Sequence, residues 1–154
     1  MGKERGFSLI ELLIVVAIIL IIAAIAIPNL LKSRIAANEA AAVGALRTVI
    51  TAEITYYATN PAAGYITLSG LGGAQMIDST LASGAKSGYK FTDEVIKSSG
   101  SPLNDQFAAF AAPLSPGTSG ARYFCSTEEG TLKYNMTTAF TTRAACRSEI
   151  LVLQ

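Results

Sequence analysis

Glu11 is the residue in this sequence whose placement most demands chemistry. It sits near the start of an apolar run, and from Leu12 to Leu31 nothing is charged. A lone acid at the centre of a bilayer costs about 2.5–3.5 kcal/mol on insertion scales, less toward the edge, and is usually functional. Glu11 therefore needs a partner, and charge pairing is the chemistry expected of it. The rest of the inventory excludes most other chemistry. The chain has no histidine, which removes Ser-His-Asp and Cys-His arrangements and any His-ligated metal. Cys125 and Cys146 are too far apart for a CxxC zinc pair. No glycine spacing after a strand would cradle a phosphate. The acidic pairs Asp93-Glu94 and Glu128-Glu129 read as solvated strand ends or turns, since a calcium loop or an acid/base pair would want more converging oxygens. Asn135-Met136-Thr137 matches a glycosylation sequon but falls in a predicted strand and reads as chance. No catalytic, cofactor-binding or metal-ligating residue is expected, and the chain does not read as an enzyme.

The elements that hold Glu11 come next. With 154 residues the chain has room for one domain plus an extension. Its residues are 51% hydrophobic and only 15% charged, against about 25% charged in a typical soluble domain. The apolar excess is concentrated in Leu12 to Leu31, where only Pro28 and Asn29 interrupt the aliphatic run. About 20 such residues make a helix of about 30 Å, the thickness of a bilayer core. Ahead of it, Lys3 and Arg5 outnumber Glu4, which favours a cytoplasmic N-terminus with the body outside. Ala23-Ala24-Ile25-Ala26 loosely resembles a signal cleavage site, but the apolar run continues beyond it. Met1-Gly2 would suit myristoylation only with Ser or Thr at position 6, where Gly stands.

Formal net charge is +1, and without residues 1 to 6 the body is neutral. No patch of Lys and Arg interleaved with aromatics is present, so nucleic acid is not an evident partner. The cysteines lie in the part expected outside, where an isolated pair reads as a Cys125–Cys146 disulfide. Closing such a loop would stabilise the fold by about 3 kcal/mol in the chain-entropy model.

Helical character continues past Lys32-Ser33-Arg34. Apolar residues recur at Ile35, Val43, Leu46, Val49 or Ile50, Ile54 and Tyr57, the stripe of an amphipathic helix. Glu39, Arg47 and Glu53 fall largely off that stripe. Asn60-Pro61 and Gly64 supply a stop. One helix from about Phe7 to about Ala58 is predicted, weakened at Pro28 and Gly44. Leu71-Gly72-Gly73-Ala74 reads as a loop or turn, with a short helix around Gln75 to Ala82. Strand candidates are Tyr89–Thr92, Phe107–Ala112 (weakened by its alanines), Arg122–Thr127 and Thr131–Met136. The last two flank Glu128-Glu129-Gly130 as a hairpin. Residues 113–120 read as a plain loop. The tail Ile150–Leu153 is either an edge strand or packing under that loop. The helix stripe is the long apolar surface available to cover the sheet, so an α+β fold with the helix laid on an antiparallel sheet follows.

Gly6-Phe7-Ser8-Leu9-Ile10-Glu11-Leu12-Leu13-Ile14-Val15-Val16-Ala17-Ile18-Ile19, followed by Ala24-Ile25-Ala26-Ile27-Pro28, closely resembles the N-terminus of type IV pilins and their pseudopilin relatives. The match covers about the first 30 residues. Beyond it the resemblance is architectural: a long helix, a strand-rich head and a cysteine pair near the C-terminus. Residues 111–117, Arg122-Tyr123-Phe124 and Glu129-Gly130 also look like heads of that family, less specifically. The resemblance implies that a prepilin peptidase cuts between Gly6 and Phe7 and that the new Phe7 amine is methylated. It implies that Glu11 pairs with the Phe7 amine of a neighbouring subunit during assembly. Within one helix Phe7 and Glu11 are also i, i+4 neighbours, so a pair inside one chain is the competing arrangement. A kink at Pro28 is expected, and the resemblance implies a loss of helical form from about Leu20 to Pro28 in the assembled fibre.

The implied organisation is a cleaved leader at 1–6, a transmembrane and filament-core half of the helix at 7–31, an amphipathic half at 32–58, and a β-rich head at 59–154. The implied function is that of a type IV pilus subunit, held in a bacterial inner membrane with its N-terminus cytoplasmic and then moved to an extracellular pilus. Its partners would be identical or related subunits, the peptidase, inner-membrane assembly machinery and, before assembly, the lipid bilayer. The alternatives are a pseudopilin of type II secretion and a membrane-anchored binding domain. Family major pseudopilins tend to carry an acidic calcium loop in the head. The cysteine pair here, without such a loop, leans toward a pilin.

Overall fold

The computed structural model describes residues 6–149 and 151–153. The predicted leader residues 1 to 5, together with Ile150 and Gln154, lie outside the described residues. The chain divides into two compact units, residues 1–34 and 35–154. The longest element is α1, Leu9–Thr59, with Pro28 inside it; it starts two residues later than expected. In residues 9–34 it is a run of aliphatic and alanine side chains, good helix formers with little to compete for the backbone. In residues 35–59 its solvent face carries threonines. Thr48, Thr51, Thr55 and Thr59 each donate a hydroxyl hydrogen bond to the carbonyl four residues earlier, so their polar atoms are satisfied within the helix. Asn60 ends the helix by donating to the Tyr56 carbonyl, and Pro61 follows.

In the second unit α1 lies on a five-stranded antiparallel meander with strand order β1-β2-β3-β4-β5. The strands are β1 Ala85–Lys86, β2 Tyr89–Ile96, β3 Gln106–Pro113, β4 Tyr123–Thr127 and β5 Lys133–Asn135. β2 and β3 are paired along their whole length, Tyr89 opposite Pro113 and Ile96 opposite Gln106. Strand alternation sends Tyr89, Phe91, Phe107, Ala109, Ala111 and Phe124 toward Ala42, Leu46, Val49 and Ile50 of the helix. Ala108, Phe110 and Cys125 point the other way, into a smaller cluster with Phe140 and Cys146. The sheet is therefore covered on both faces. Of the β3 alanines, expected to weaken it, Ala108, Ala109 and Ala111 are buried, and Ala109 and Ala111, facing the helix, share one cluster with Ala42, Ala45 and Ala52 of α1.

Several expectations need correction. Leu71 to Gly73 are helical, and of the expected loop or turn only Ala74 is a turn: α2 spans Leu68–Gly73, capped by the Thr67 hydroxyl on the Gly70 N–H. Two of its glycines serve close packing, because a Cβ at Gly70 would collide with Ile66 and one at Gly72 with Ala82. α3 is a single turn, Ser79–Ala82, capped by Asp78, shorter than the helix expected from Gln75. β1 and α4, Arg143–Ser148, have no counterpart among the expected elements. The buried face of α1 also differs: Ile54 is 47% exposed, while Glu39 and Glu53, expected off the stripe, are 6% and 1% exposed. The tail lies along β5, with Val152 opposite Lys133 and hydrogen bonds from Leu153 N to Leu132 O and from Tyr134 N to Leu151 O. This covers an edge that would otherwise be open to pairing.

Candidate functional site

In the first unit, Gly6, Phe7 and Ser8 precede α1 and Glu11 lies in its first turn. The Ser8 N–H donates to Glu11 Oε2 at 2.9 Å, and the Leu12 N–H donates to the Ser8 carbonyl at 3.3 Å. Ser8 is thus the N-cap and Glu11 the third helical residue, whose carboxylate reaches back to the cap, one half of a capping box. The helix dipole favours a negative charge at this end. Ser8-Leu9-Ile10-Glu11 has the spacing of that motif, a signal that could have located the contact from sequence. Glu11 consequently has a local partner in its own chain, weaker than a cation.

Downstream of Glu11 the helix offers nothing polar for many turns. Every large apolar side chain from Phe7 to Leu31 is exposed, from 41% at Leu31 to 79% at Phe7. This stretch is long and apolar enough to cross a membrane, and none of its most apolar window is buried within the chain. At about 25 cal/mol per Å², so much uncovered apolar surface strongly favours association with lipid or other helices.

In the second unit the charged residues serve architecture. Glu39 Oε1 accepts from the Ala121 and Arg122 N–H groups at 2.8 and 3.1 Å, and Oε2 accepts from Arg122 Nε at 2.7 Å. The guanidinium completes an ion pair and stands 5.5 Å from the ring centroids of both Phe124 and Tyr134. Tyr89 donates its hydroxyl to the Arg122 carbonyl at 2.9 Å. Gly120 makes room for that tyrosine, since a Cβ there would strike its ring. This network fastens α1 to the chain entering β4 at Ala121 and Arg122, just after the loop of residues 113–120.

The acidic pairs are not simply solvated ends. Glu94 accepts from the Arg143 N–H, Glu128 pairs with the Arg143 side chain, and Glu129 pairs with Arg147 at 3.1 Å. Burial raises the Glu128 carboxyl, but the hydrogen bonds and charge of Arg143, together with backbone N–H groups, hold it below the usual range. These contacts seat α4 on the sheet, where Cys146 forms the expected disulfide with Cys125. Asn135 of the sequon is occupied too: its amide nitrogen donates to Glu149 Oε2 at 2.7 Å, and its oxygen accepts from Thr137 and Thr138.

The first 27 residues match the family model described as "Prokaryotic N-terminal methylation motif". Over 55 residues, 36% of its length, the chain is 47% identical to the Type IV major pilin protein PilA of Myxococcus xanthus. Over 60 residues, 39% of its length, it is 45% identical to the Type IV wide pilus major component PilA4 of Thermus thermophilus. The matches span 25% of the first relative and 46% of the second. No solved structure matches the chain significantly.

Proposed function

We propose that this chain, whose N-terminus is that of the type IV pilin family, is made as a prepilin and serves as a structural subunit of a type IV pilus. The observation that carries the reading is an exposed, membrane-length apolar helix with one carboxylate in its first turn. Before processing, residues 7–31 sit in the inner membrane with the N-terminus cytoplasmic and the head outside. Prepilin peptidase cuts between Gly6 and Phe7, and the Phe7 amine is methylated.

Cleavage changes the electrostatics of the site. The peptide nitrogen of Phe7 is neutral; the freed amine, with an ordinary pKa of about 8, is largely protonated at neutral pH. Methylation keeps it basic. In a low-dielectric surrounding, a cation and a carboxylate are each costly alone and attract strongly together. In the single chain Glu11 rests on the Ser8 N–H. During assembly the Phe7 ammonium of a neighbouring subunit offers it a charged donor, roughly twice as strong as a neutral one. The helices then bury their apolar surface against one another in the filament core. Pro28, which lacks a backbone donor, is where α1 most readily opens as helices pack. The β-rich head is carried on the filament surface, its C-terminal part fastened by the disulfide. The subunit acts by assembling, not by catalysis.

Electron microscopy of sheared surface filaments, with peptide identification of their subunits, tests this. Filaments built mainly of this chain are expected. Its confinement to the membrane of cells that make filaments from another subunit would contradict the proposal.

A further inference from the structure

Glu53 plays no part in the assembly site, yet it is among the most completely buried side chains in the second unit, at 1% exposed. Its carboxylate accepts from the Ile66 N–H at 3.2 Å. Asp93, half-buried on the helix-facing side of β2 two residues beyond Phe91, feels the Leu68 backbone and adds negative potential at Glu53. Glu53 thus holds one N–H of a short segment, the entry to α2, and Asp93 influences the same segment from the sheet side. The same segment carries Tyr65, whose ring stacks on Tyr57 of α1 at 4.7 Å and leans on Phe107 of β3 at 4.7 Å. Tyr65 N also donates to Asn104 O at 2.7 Å.

We propose that Glu53 and Asp93 form a proton-controlled clasp on Ile66–Leu68, closed while Glu53 is protonated and loosened when both carboxyls are ionised. A neutral carboxyl can remain buried beside a carboxylate and still accept from Ile66 N–H. A second negative charge in the same place is unfavourable through both desolvation and repulsion. Among the described residues, the charge that acts on Glu53 is that of Asp93 on β2, of the same sign, while Tyr65 on the segment senses Glu53, Tyr57 on α1 and Glu128 after β4. Glu128 is already paired with Arg143.

Burial raises the Glu53 carboxyl from 4.5 to about 7, against the lowering effect of the Ile66 hydrogen bond and with Asp93 adding to the rise. A raised acid holds its proton more tightly closed than open. The closed form is therefore favoured at low pH, and that advantage is lost as pH climbs from 4.5 through about 7. The ordering of the Tyr65 surface consequently responds to pH in the range a cell envelope meets. The clasp works in the single chain, with or without filament assembly.

Amide hydrogen exchange by NMR tests it on the full chain in detergent micelles, with rates corrected for intrinsic base catalysis. The opening constant at Ile66 and Leu68 should rise about tenfold between pH 6 and 8, while the Phe124 amide in the sheet stays unchanged. Glu53→Gln should abolish the rise, and Asp93→Asn should weaken it. A flat wild-type profile, or the same rise in Glu53→Gln, would overturn the proposal.

Discussion

Along the single helix α1, the two halves reverse the usual rule of sides. Residues 9–34 expose their apolar side chains, with Leu9, Leu20 and Ile25 at 75%, 63% and 66%. Residues 35–59 bury two of their charged ones, with Glu39 and Glu53 at 6% and 1%. One helix, missing a backbone donor at Pro28, accommodates both patterns, so helix formation does not distinguish them. What differs is where the partners are. Arg122, Ile66 and the sheet complete the second half within the chain. The first half finds no cover among the described residues of its own chain, so its cover must come from outside. A segment that displays so much apolar surface beside one carboxylate is built for association; the other is built for a fold.

That contrast can be broken from either side, and the largest effect is expected at Glu11. Glu11→Ala should reduce surface filaments, counted by electron microscopy, by an order of magnitude or more. Thermal unfolding of the head should be unaffected, because the hydrogen bond of Glu11 is with Ser8 of its own unit. Reducing the disulfide, or replacing Cys125 and Cys146 by Ser, should destabilise the head by about 3 kcal/mol in urea unfolding. Membrane insertion measured by carbonate extraction should be unchanged. Next comes Glu39→Gln, which leaves the Arg122 guanidinium without its carboxylate. A loss of about 2 kcal/mol in the same unfolding experiment is expected, since breaking a buried pair costs roughly 3–5 kcal/mol and Arg122 is partly solvated. Smallest is Glu53→Gln, which should raise the melting temperature by a few degrees at pH 8 and leave it nearly unchanged at pH 5, following the sign of the Glu53 shift.

The halves also differ in how well they read from sequence. Residues 7–31 are uniform, and a uniform apolar run admits few structural meanings. The aromatics of Tyr123–Thr127 and the stop at Asn60-Pro61 are legible because their signals are equally local. Glu39 and Glu53 are misplaced by helix periodicity, which assigns charges to the outside unless a partner is known, and Arg122 lies far along the chain. α2 is hidden by glycines that usually signal turns but here relieve crowding against Ile66 and Ala82. α4 is one and a half turns with little periodicity, seated by ion pairs from Glu128 and Glu129. At the assembly site, Gly6, Phe7 and Glu11 stand out as a motif. The cap that Glu11 places on Ser8 is written in the same letters, but only as local geometry.

The central claim is that cleavage behind Gly6 creates the partner of Glu11 and turns a membrane protein into a filament subunit. Mass spectrometry of the intact subunit, from sheared filaments and from the membrane, tests it most directly. Filament subunits should begin at a methylated Phe7, with residues 1 to 6 retained only in the membrane pool of cells lacking the peptidase. Assembled subunits that still carry Met1 or any leader residue would contradict it.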